Sequence, residues 1–429
     1  MRDSNRRIFL KNSSAAAVAA ASFPSGVHAQ GNDELKVALI GCGGRGTGAA
    51  NQALRADDRT KLWAMADIDE GSLDRSRETL EKAGRKVEVD PERRLIGLDA
   101  FKKVMAMDEI DVVILTTPPG FRPAHFAAAV EAGKHVFMEK PVAVDAHGVR
   151  QVLEAARAAK AKNLKVGVGL NRRHSPIHQD CIKRIHDGVI GELPLIRLYN
   201  VRGGVNKRQV RQTGMSELEW QVRNWYYFAW LSGDFPVEQS VHEYDVVRWI
   251  KGDENPISCQ GQGGRLNRTG PENGNIWDHF TMEYEFADGS LVIAQHRHLR
   301  GCWTFFGEKI SGTKGSAELA FKQRAQIQLK GEERPSWRAQ EEEDSYQIEH
   351  DQLFKAIRDD LPHNEAERGA NSTLMAIMGR NAGYSGQLIT WEEALNSDEN
   401  LVPNIDSWDD EPPVQPDSKG AYAYPLPPT

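Results

Sequence analysis

The sequence predicts an α/β chain in two parts: a parallel, doubly wound sheet of the nucleotide-binding kind, then a larger α/β region. Three observations predict it. A short β-branched run, Leu35 to Ile40, empties into a glycine cluster. Apolar runs and helical stretches then alternate up to about residue 160. From Pro256 to Leu329 short runs alternate in polarity instead, as antiparallel strands with one wet face do, and turn residues separate them.

In the first part, Gly41-x-Gly43-x-x-Gly46 follows the opening strand and leads into a helical stretch from Thr47 to Leu54. The first glycine permits a tight turn, the second lets backbone approach a pyrophosphate, and the third lets helix pack on strand. Unpaired N–H groups at the helix start favour phosphate. This is the fingerprint of a Rossmann domain, and it makes Gly41, Cys42, Gly43, Gly44, Arg45 and Gly46 the candidate phosphate loop. A second strand, Lys61 to Ala66, ends in Asp67. A carboxylate there accepts hydrogen bonds from ribose hydroxyls and repels a 2′-phosphate, favouring NAD over NADP. Two other readings compete: Asp67 as an ordinary helix N-cap, and Asp69 in the ribose role. A third strand, Asp111 to Leu115, runs into Thr116-Thr117-Pro118-Pro119, and a helix, His125 to Ala132, precedes Gly133-Lys134-His135-Val136-Phe137-Met138-Glu139-Lys140-Pro141.

In the second part a strand from Asn163 to Gly169 leads to Leu170-Asn171-Arg172-Arg173-His174. Spacing does not say which arginine points inward. A helix is predicted from Asp234, a good N-cap, to Gly252, a good stop, with Glu238, His242 and Asp245 on one face at i, i+4 and i+7. One histidine and two carboxylates on one helix lack the remaining ligands of a closed metal site, so no metal is expected. An aromatic stretch, Trp220 to Trp230, includes Tyr226, whose ring and hydroxyl suit a sugar, although core packing is the commoner use of such residues. Lys207 to Arg211 form a basic loop, either a lid over the cleft or, the commoner case, a solvated loop; Glu332 to Asp344 read as surface loop, and Tyr346 to Ile357 and Asn371 to Tyr384 read as helices. The last residues, 396–429, are Pro-, Asp- and Asn-rich, either a disordered end or an extended arm.

The chain of 429 residues carries a net charge of −7 and no long basic run, which excludes phosphate-backbone binding as its trade. No long apolar stretch predicts a membrane span. Residues 1–29 read as an export segment: Arg6-Arg7-Ile8-Phe9-Leu10-Lys11 resembles a twin-arginine signal, and Val27-His28-Ala29 suits a peptidase. The expectation is a periplasmic protein handled by the twin-arginine machinery. Folding before export favours free thiols at Cys42, Cys181, Cys259 and Cys302. The predicted boundaries are 34–160 for the Rossmann domain and 161–395 for the substrate domain.

The order of glycine loop, Asp67, Thr117-Pro118-Pro119, Gly133-Lys134-His135-Val136 and Glu139-Lys140-Pro141 resembles the Gfo/Idh/MocA oxidoreductases, over about residues 34–395. The resemblance implies a C-terminal α/β domain with a large open, mainly antiparallel sheet on which subunits associate as dimers or tetramers. It implies NAD held by the glycine loop with Asp67, Thr117, Pro118, Glu139 and Lys140, and a sugar or polyol held near Asn171, Arg172, Tyr226 and Asp245. Lys140 would reach the substrate hydroxyl, with His242 as base and Glu238 beside it. Glu238 stands where the family usually has aspartate, and Arg122 where many members have histidine, so no role passes to Arg122. The expected function is hydride transfer between a sugar or polyol carbinol and a tightly bound nicotinamide. A redox-neutral glycoside hydrolase, working by oxidation, elimination, addition and reduction, is the alternative. A catalytically silent sugar-binding protein is disfavoured by the joint presence of loop, Lys140 and His242.

Overall fold

The computed structural model describes residues 33–205, 208–320, 324–339 and 344–425; residues 1–29, read above as an export segment, lie outside them. The first sheet is built from β1 (Leu35–Ile40), β2 (Thr60–Asp67), β3 (Arg94–Ile96), β4 (Val112–Leu115), β5 (His135–Met138) and β6 (Val166–Val168). All its pairings are parallel, in the order β3-β2-β1-β4-β5-β6, the doubly wound Rossmann order. Helices α1 (Gly44–Ala56), α2 (Glu70–Lys82), α3 (Ala100–Met105), α4 (Arg122–Glu131) and α5 (Ala146–Ala161) are the crossovers. Because β6 completes this sheet, the Rossmann unit runs past the predicted boundary at residue 160.

The second part contains α6 (Pro176–His186), β7 (Leu195–Arg202), α7 (Glu217–Arg223), α8 (Ala229–Ser232) and α9 (Phe235–Ile250), then β8 (Ser258–Gly264), β9 (His279–Glu285), β10 (Leu291–His298), β11 (Phe305–Ser311), β12 (Gly315–Ala320), β13 (Arg324–Leu329) and β14 (Trp337–Arg338). It closes with α10 (Ser345–Arg358), α11 (Ala366–Ser385), β15 (Ile389–Thr390) and α12 (Trp391–Asn396). The sheet order is β14-β13-β12-β11-β7-β10-β9-β8-β15. Sequence reading missed β7, which is the keystone: it is inserted between β11 and β10 and pairs in parallel with β10, the sheet's one parallel pairing among the described residues. Its alternation, Leu195, Arg197 and Tyr199 against Ile196, Leu198 and Asn200, was the available signal. The stretch 332–344, read as loop, contributes the edge strand β14.

The two parts share one core. Leu353, Phe354 and Ile357 of α10 pack on the first sheet beside Ala49, Ala50 and Ala53 of α1, so a helix late in the chain covers one Rossmann face. The other face, with Ile40, Leu115 and Met138, continues into α9, α11 and the second sheet through Val241, Tyr244, Leu374 and Met282. α9 is buried nearly all round, Val241, Val246 and Asp245 included. Among the described cysteines none is paired; Cys42, Cys181 and Cys259 are buried and Cys302 is exposed.

Several histidines are buried and neutral. Burial pushes His125, His178 and His296 down to about 3, and His296 is held on both ring nitrogens, by Ser240 at 2.9 Å and Tyr244 at 2.8 Å. Each takes up a proton near pH 6.5 when unfolded but only near pH 3 when folded. Their contribution is therefore intact above pH 6.5 and lost as pH falls toward 3, at about 1.4 kcal/mol per pH unit and histidine. Urea unfolding at pH 7.0 and 5.5 will show a marked loss of stability at the lower pH. In His296→Gln that pH-dependent loss shrinks by one histidine's share; a chain equally stable at both pH values would contradict this.

Candidate active site

At the carboxyl end of β1 the chain turns through Gly41, which has φ +95° and whose hypothetical Cβ would lie 2.8 Å from the Thr116 backbone. A Cβ on Gly46 would come within 2.0 Å of the Gly41 carbonyl. These two glycines serve packing. Gly43 is different: a Cβ there would meet nothing within 4 Å, so open space lies where a phosphate would approach. Gly43 is also the N-cap of α1, with no side chain capping the free N–H groups. The loop thus fits a pyrophosphate on its own geometry.

Beside it lies a cavity of about 870 Å³, at the carboxyl ends of β1, β2 and β4, where such sheets bind ligands. Gly41, Gly43, Asp67, Thr117 and Pro118 line it; Cys42, Gly44, Arg45, Gly46, Glu139 and Lys140 do not. Cys42 has a supporting part, its N–H donating to Asp67 Oδ2 while its thiol is buried. Asp67 ends β2, and the cap of α2 is Asp69, whose Oδ2 accepts from Ser72 N at 2.7 Å. The competing N-cap reading of Asp67 is thereby removed. Burial raises the Asp67 carboxyl, while Arg223 and the Ser72 bonds hold Asp69 down. Arg45 leaves the loop sideways, pairing with Glu139 Oε1 at 2.7 Å and tying the glycine loop to the Glu-Lys-Pro turn.

Lys140 stands on that turn, before a cis peptide to Pro141. Its Nζ donates to the Glu238 main-chain oxygen at 2.6 Å and lies 3.8 Å from Glu238 Oε1. The first part of the chain is thereby joined to α9, one turn before His242. His242 is partly exposed, but its Nδ1 is buried and has no hydrogen-bond partner. Burial, with Lys140, Arg172, Arg202 and Arg45 around it, holds the imidazole well below its ordinary pKa, so it is neutral at working pH. Glu238 makes no hydrogen bond to His242 Nδ1. Its carboxylate turns to Gln239 Nε2 and toward Lys140.

The Asn/Arg-rich segment is a buried turn rather than a solvated one. Arg172 faces the site and joins Glu243 and Glu308, at 3.0 Å to the latter. Both acids are raised, by burial above all, and each remains beside the same guanidinium. Arg173 points away and makes a fork to Asp245, 2.9 Å on each arm, with Asp253 Oδ1 at 2.6 Å. Three substrate assignments are corrected by this packing. Asp245 is fully buried and spent on Arg173 and Ser372. Asn171 is buried and donates to Ser345 Oγ at 2.9 Å. Tyr226 is 1% exposed, edge-on to Trp225 and Tyr227, with burial pushing its phenol up. Arg122 is buried too, donating to the carbonyls of Leu115 and Thr117 and so bracing the Pro-Pro turn.

Sequence reading missed other residues. Thr116 Oγ1 donates to the Gly41 carbonyl at 2.5 Å and locks the loop. Arg202, at the end of β7, donates to Asn200 and Gln239 beside Glu238. His147, Gln209, Arg223, Trp225, Asn400 and residues 402–406 line the cavity. Gln209 was signalled by the basic loop and Trp225 by the aromatic stretch, but nothing local marked 400–406.

A family model described as an oxidoreductase family NAD-binding Rossmann fold matches residues 35–170, and its C-terminal alpha/beta domain matches 182–406. Inositol 2-dehydrogenase 4 of Saccharopolyspora erythraea is 27% identical over 223 residues, covering 52% of this chain and 56% of that protein. 2,7-anhydro-N-acetylneuraminate hydratase of Escherichia coli is 26% identical over 234 residues, covering 54% and 58%. The chain thus spans about half the length of these curated relatives. The fold is also that of an aldose-aldose oxidoreductase from Caulobacter crescentus, at TM-score 0.65 and 18% identity, covering 83% of this chain and 99% of that one.

The burial of Asp245 yields a direct test. Asp245→Ala leaves Arg173 buried beside Asp253 alone and will destabilise the fold by about 3–5 kcal/mol, measured by chemical unfolding. A fully stable variant with only a raised KM would return Asp245 to the substrate.

Proposed function

The chain belongs to this NAD-binding oxidoreductase family, and on that premise we propose that it moves hydride between a carbinol carbon of a sugar or polyol and a tightly held NAD. The observation that carries the reading is the meeting of Lys140 Nζ with the first turns of α9, beside a neutral His242 whose Nδ1 is unengaged. The relative named an inositol dehydrogenase supports the polyol class.

When bound, the nicotinamide supplies the acceptor for the hydride leaving the carbinol carbon. The chain's own residues handle what remains. The Lys140 ammonium holds the substrate oxygen and stabilises negative charge developing on it. His242 takes the hydroxyl proton on its neutral imidazole, and the carbinol becomes a carbonyl. Arg172, Arg202 and Arg45 lower His242's proton affinity, but the same field stabilises alkoxide, so the hydroxyl and the base are adjusted together. Asp67 and Asp69 at the far end of the cavity disfavour a 2′-phosphate.

Export through the twin-arginine route places this chemistry in the periplasm, where no free nicotinamide pool exists. The cofactor then behaves as a prosthetic group, re-oxidised in place by a second substrate. The hydratase among the relatives favours a second reading, in which hydride returns to the same substrate and no net oxidation occurs. Association through the open face of the second sheet gives a dimer or tetramer.

Denaturing the purified mature protein will release near-stoichiometric NAD(H); an empty protein would overturn tight retention. Lys140→Ala will lower kcat by about 10²–10³ with nucleotide still bound, and unchanged turnover would remove Lys140 from the chemistry. Asp67→Ala will narrow the NAD/NADP preference. Because His242 is depressed, the acid limb of kcat/KM in the free enzyme will lie below pH 6.5. It will vanish, with a loss of about 10²–10⁴ in rate, in His242→Ala. Net accumulation of reduced cofactor with substrate separates the two readings.

A further inference from the structure

After α12 the chain runs from Ser397 to Pro425 without helix or strand, yet it is pinned at every stage. Arg150 holds the Ser397 carbonyl at 2.8 Å and Arg380 holds Glu399 at 2.8 Å. Leu401 N donates to Asp145 Oδ2 at 2.7 Å, while the other oxygen of Asp145 caps α5. Lys102 pairs with Asp406 at 3.0 Å, across from the Rossmann domain. Further on, Gln221 holds the Val414 carbonyl at 2.6 Å, Tyr422 OH donates to Glu217 at 2.6 Å, and Trp277 Nε1 donates to the Pro425 carbonyl at 3.0 Å. Ile405, Trp408 and Val414 pack into an apolar cluster with Trp220, Trp230 and Phe121. Of the two sequence expectations for this tail, the extended arm is the one realised in the described residues.

The arm crosses the nucleotide cavity. Asn400, Val402, Pro403, Asn404, Ile405 and Asp406 line it together with Gly43, Asp67 and Thr117. The family's C-terminal domain ends at residue 406, so the anchoring stretch from Trp408 onward lies beyond both family domains. The wall it makes has apolar faces, from Val402, Pro403 and Ile405, that suit a purine. Its side-chain amides, Asn400 and Asn404, suit ring nitrogens or ribose hydroxyls. Asp406, paired with Lys102, lines the same cavity as Asp67 and Asp69.

We propose that the C-terminal arm is a nucleotide-binding element: residues 400–406 form the outer wall of the site for the adenosine half of NAD, and the anchors at 408–425 keep that wall shut during turnover. The inference rests on the NAD site proposed above and deepens it by naming what retains the cofactor. Release of NAD then requires local opening of the arm, which its apolar and hydrogen-bonded anchors make slow.

The test uses the full mature chain, stripped of nucleotide and reloaded with NAD or NADH. Hydrogen exchange with and without NAD reads the arm directly, and amides 400–406 will gain protection on binding. NADH release, followed by its fluorescence after mixing with excess NAD, will be at least 10-fold faster in Ile405→Ala/Trp408→Ala than in the unaltered chain. Should that variant fail to fold, Val402→Ser and the exchange experiment on the unaltered chain carry the test. NAD binding with no added protection in 400–406, or with release unchanged, overturns the role of the arm and leaves the active-site reading standing. Failure of the full chain to bind NAD at all overturns both.

Discussion

The hydrogen bond from Lys140 Nζ to the Glu238 main-chain oxygen joins two regions 98 residues apart, and the arrangement of the site depends on it. On one side it is anchored by the parallel sheet, because Lys140 follows β5 and is held near the glycine loop through Arg45 and Glu139. On the other it reaches α9 near its N-terminus, where Asp234 caps the helix and is itself held by Tyr384 and the Trp277 N–H. A main-chain acceptor cannot swing away as a side chain can. The ammonium therefore sits at a set height on α9, one turn from the imidazole.

Around that contact the chain buries a large number of charges and sorts them by geometry. Arg172 and Arg173 are adjacent in sequence but diverge, one to Glu243 and Glu308 near His242, the other to Asp245 and Asp253. Buried pairs of this kind gain little net stability over apolar packing, since desolvation offsets attraction, but breaking one is costly. Their effect here is positional. They hold a turn against a helix, and burial, with Lys140 and Arg172 nearby, holds the His242 imidazole well below its ordinary pKa.

Much of the fold was legible in consecutive residues. The glycine loop, β1 and β2, Asp67 and the helix from Asp234 are all local: a turn that requires small residues, a period of two or 3.6, a cap and a stop. Boundaries moved by a few residues, as when α1 began at Gly44 inside the glycine cluster rather than at Thr47. Lys140 and His242 were found by the resemblance, and the structure brings the elements bearing them together. Asp245, Asn171 and Tyr226 were misread because helical spacing and residue type describe a side chain's direction, not what it meets there.

The sequence by itself determined the parallel Rossmann sheet and the glycine loop that follows its first strand, because steric demands and periodicity act over a few residues at a time. Only the tertiary structure decided that β7 is inserted between β11 and β10, which of two adjacent arginines lies near His242, and that Asn400 and residues 402–406 line the cavity beside the glycine loop. Those outcomes depend on pairings between groups far apart in the chain, as with Asp145 and Leu401, 256 residues apart, and Lys102 and Asp406, 304 apart. No local pattern encodes such a pairing; it follows from which surfaces remain unburied once the two sheets have packed.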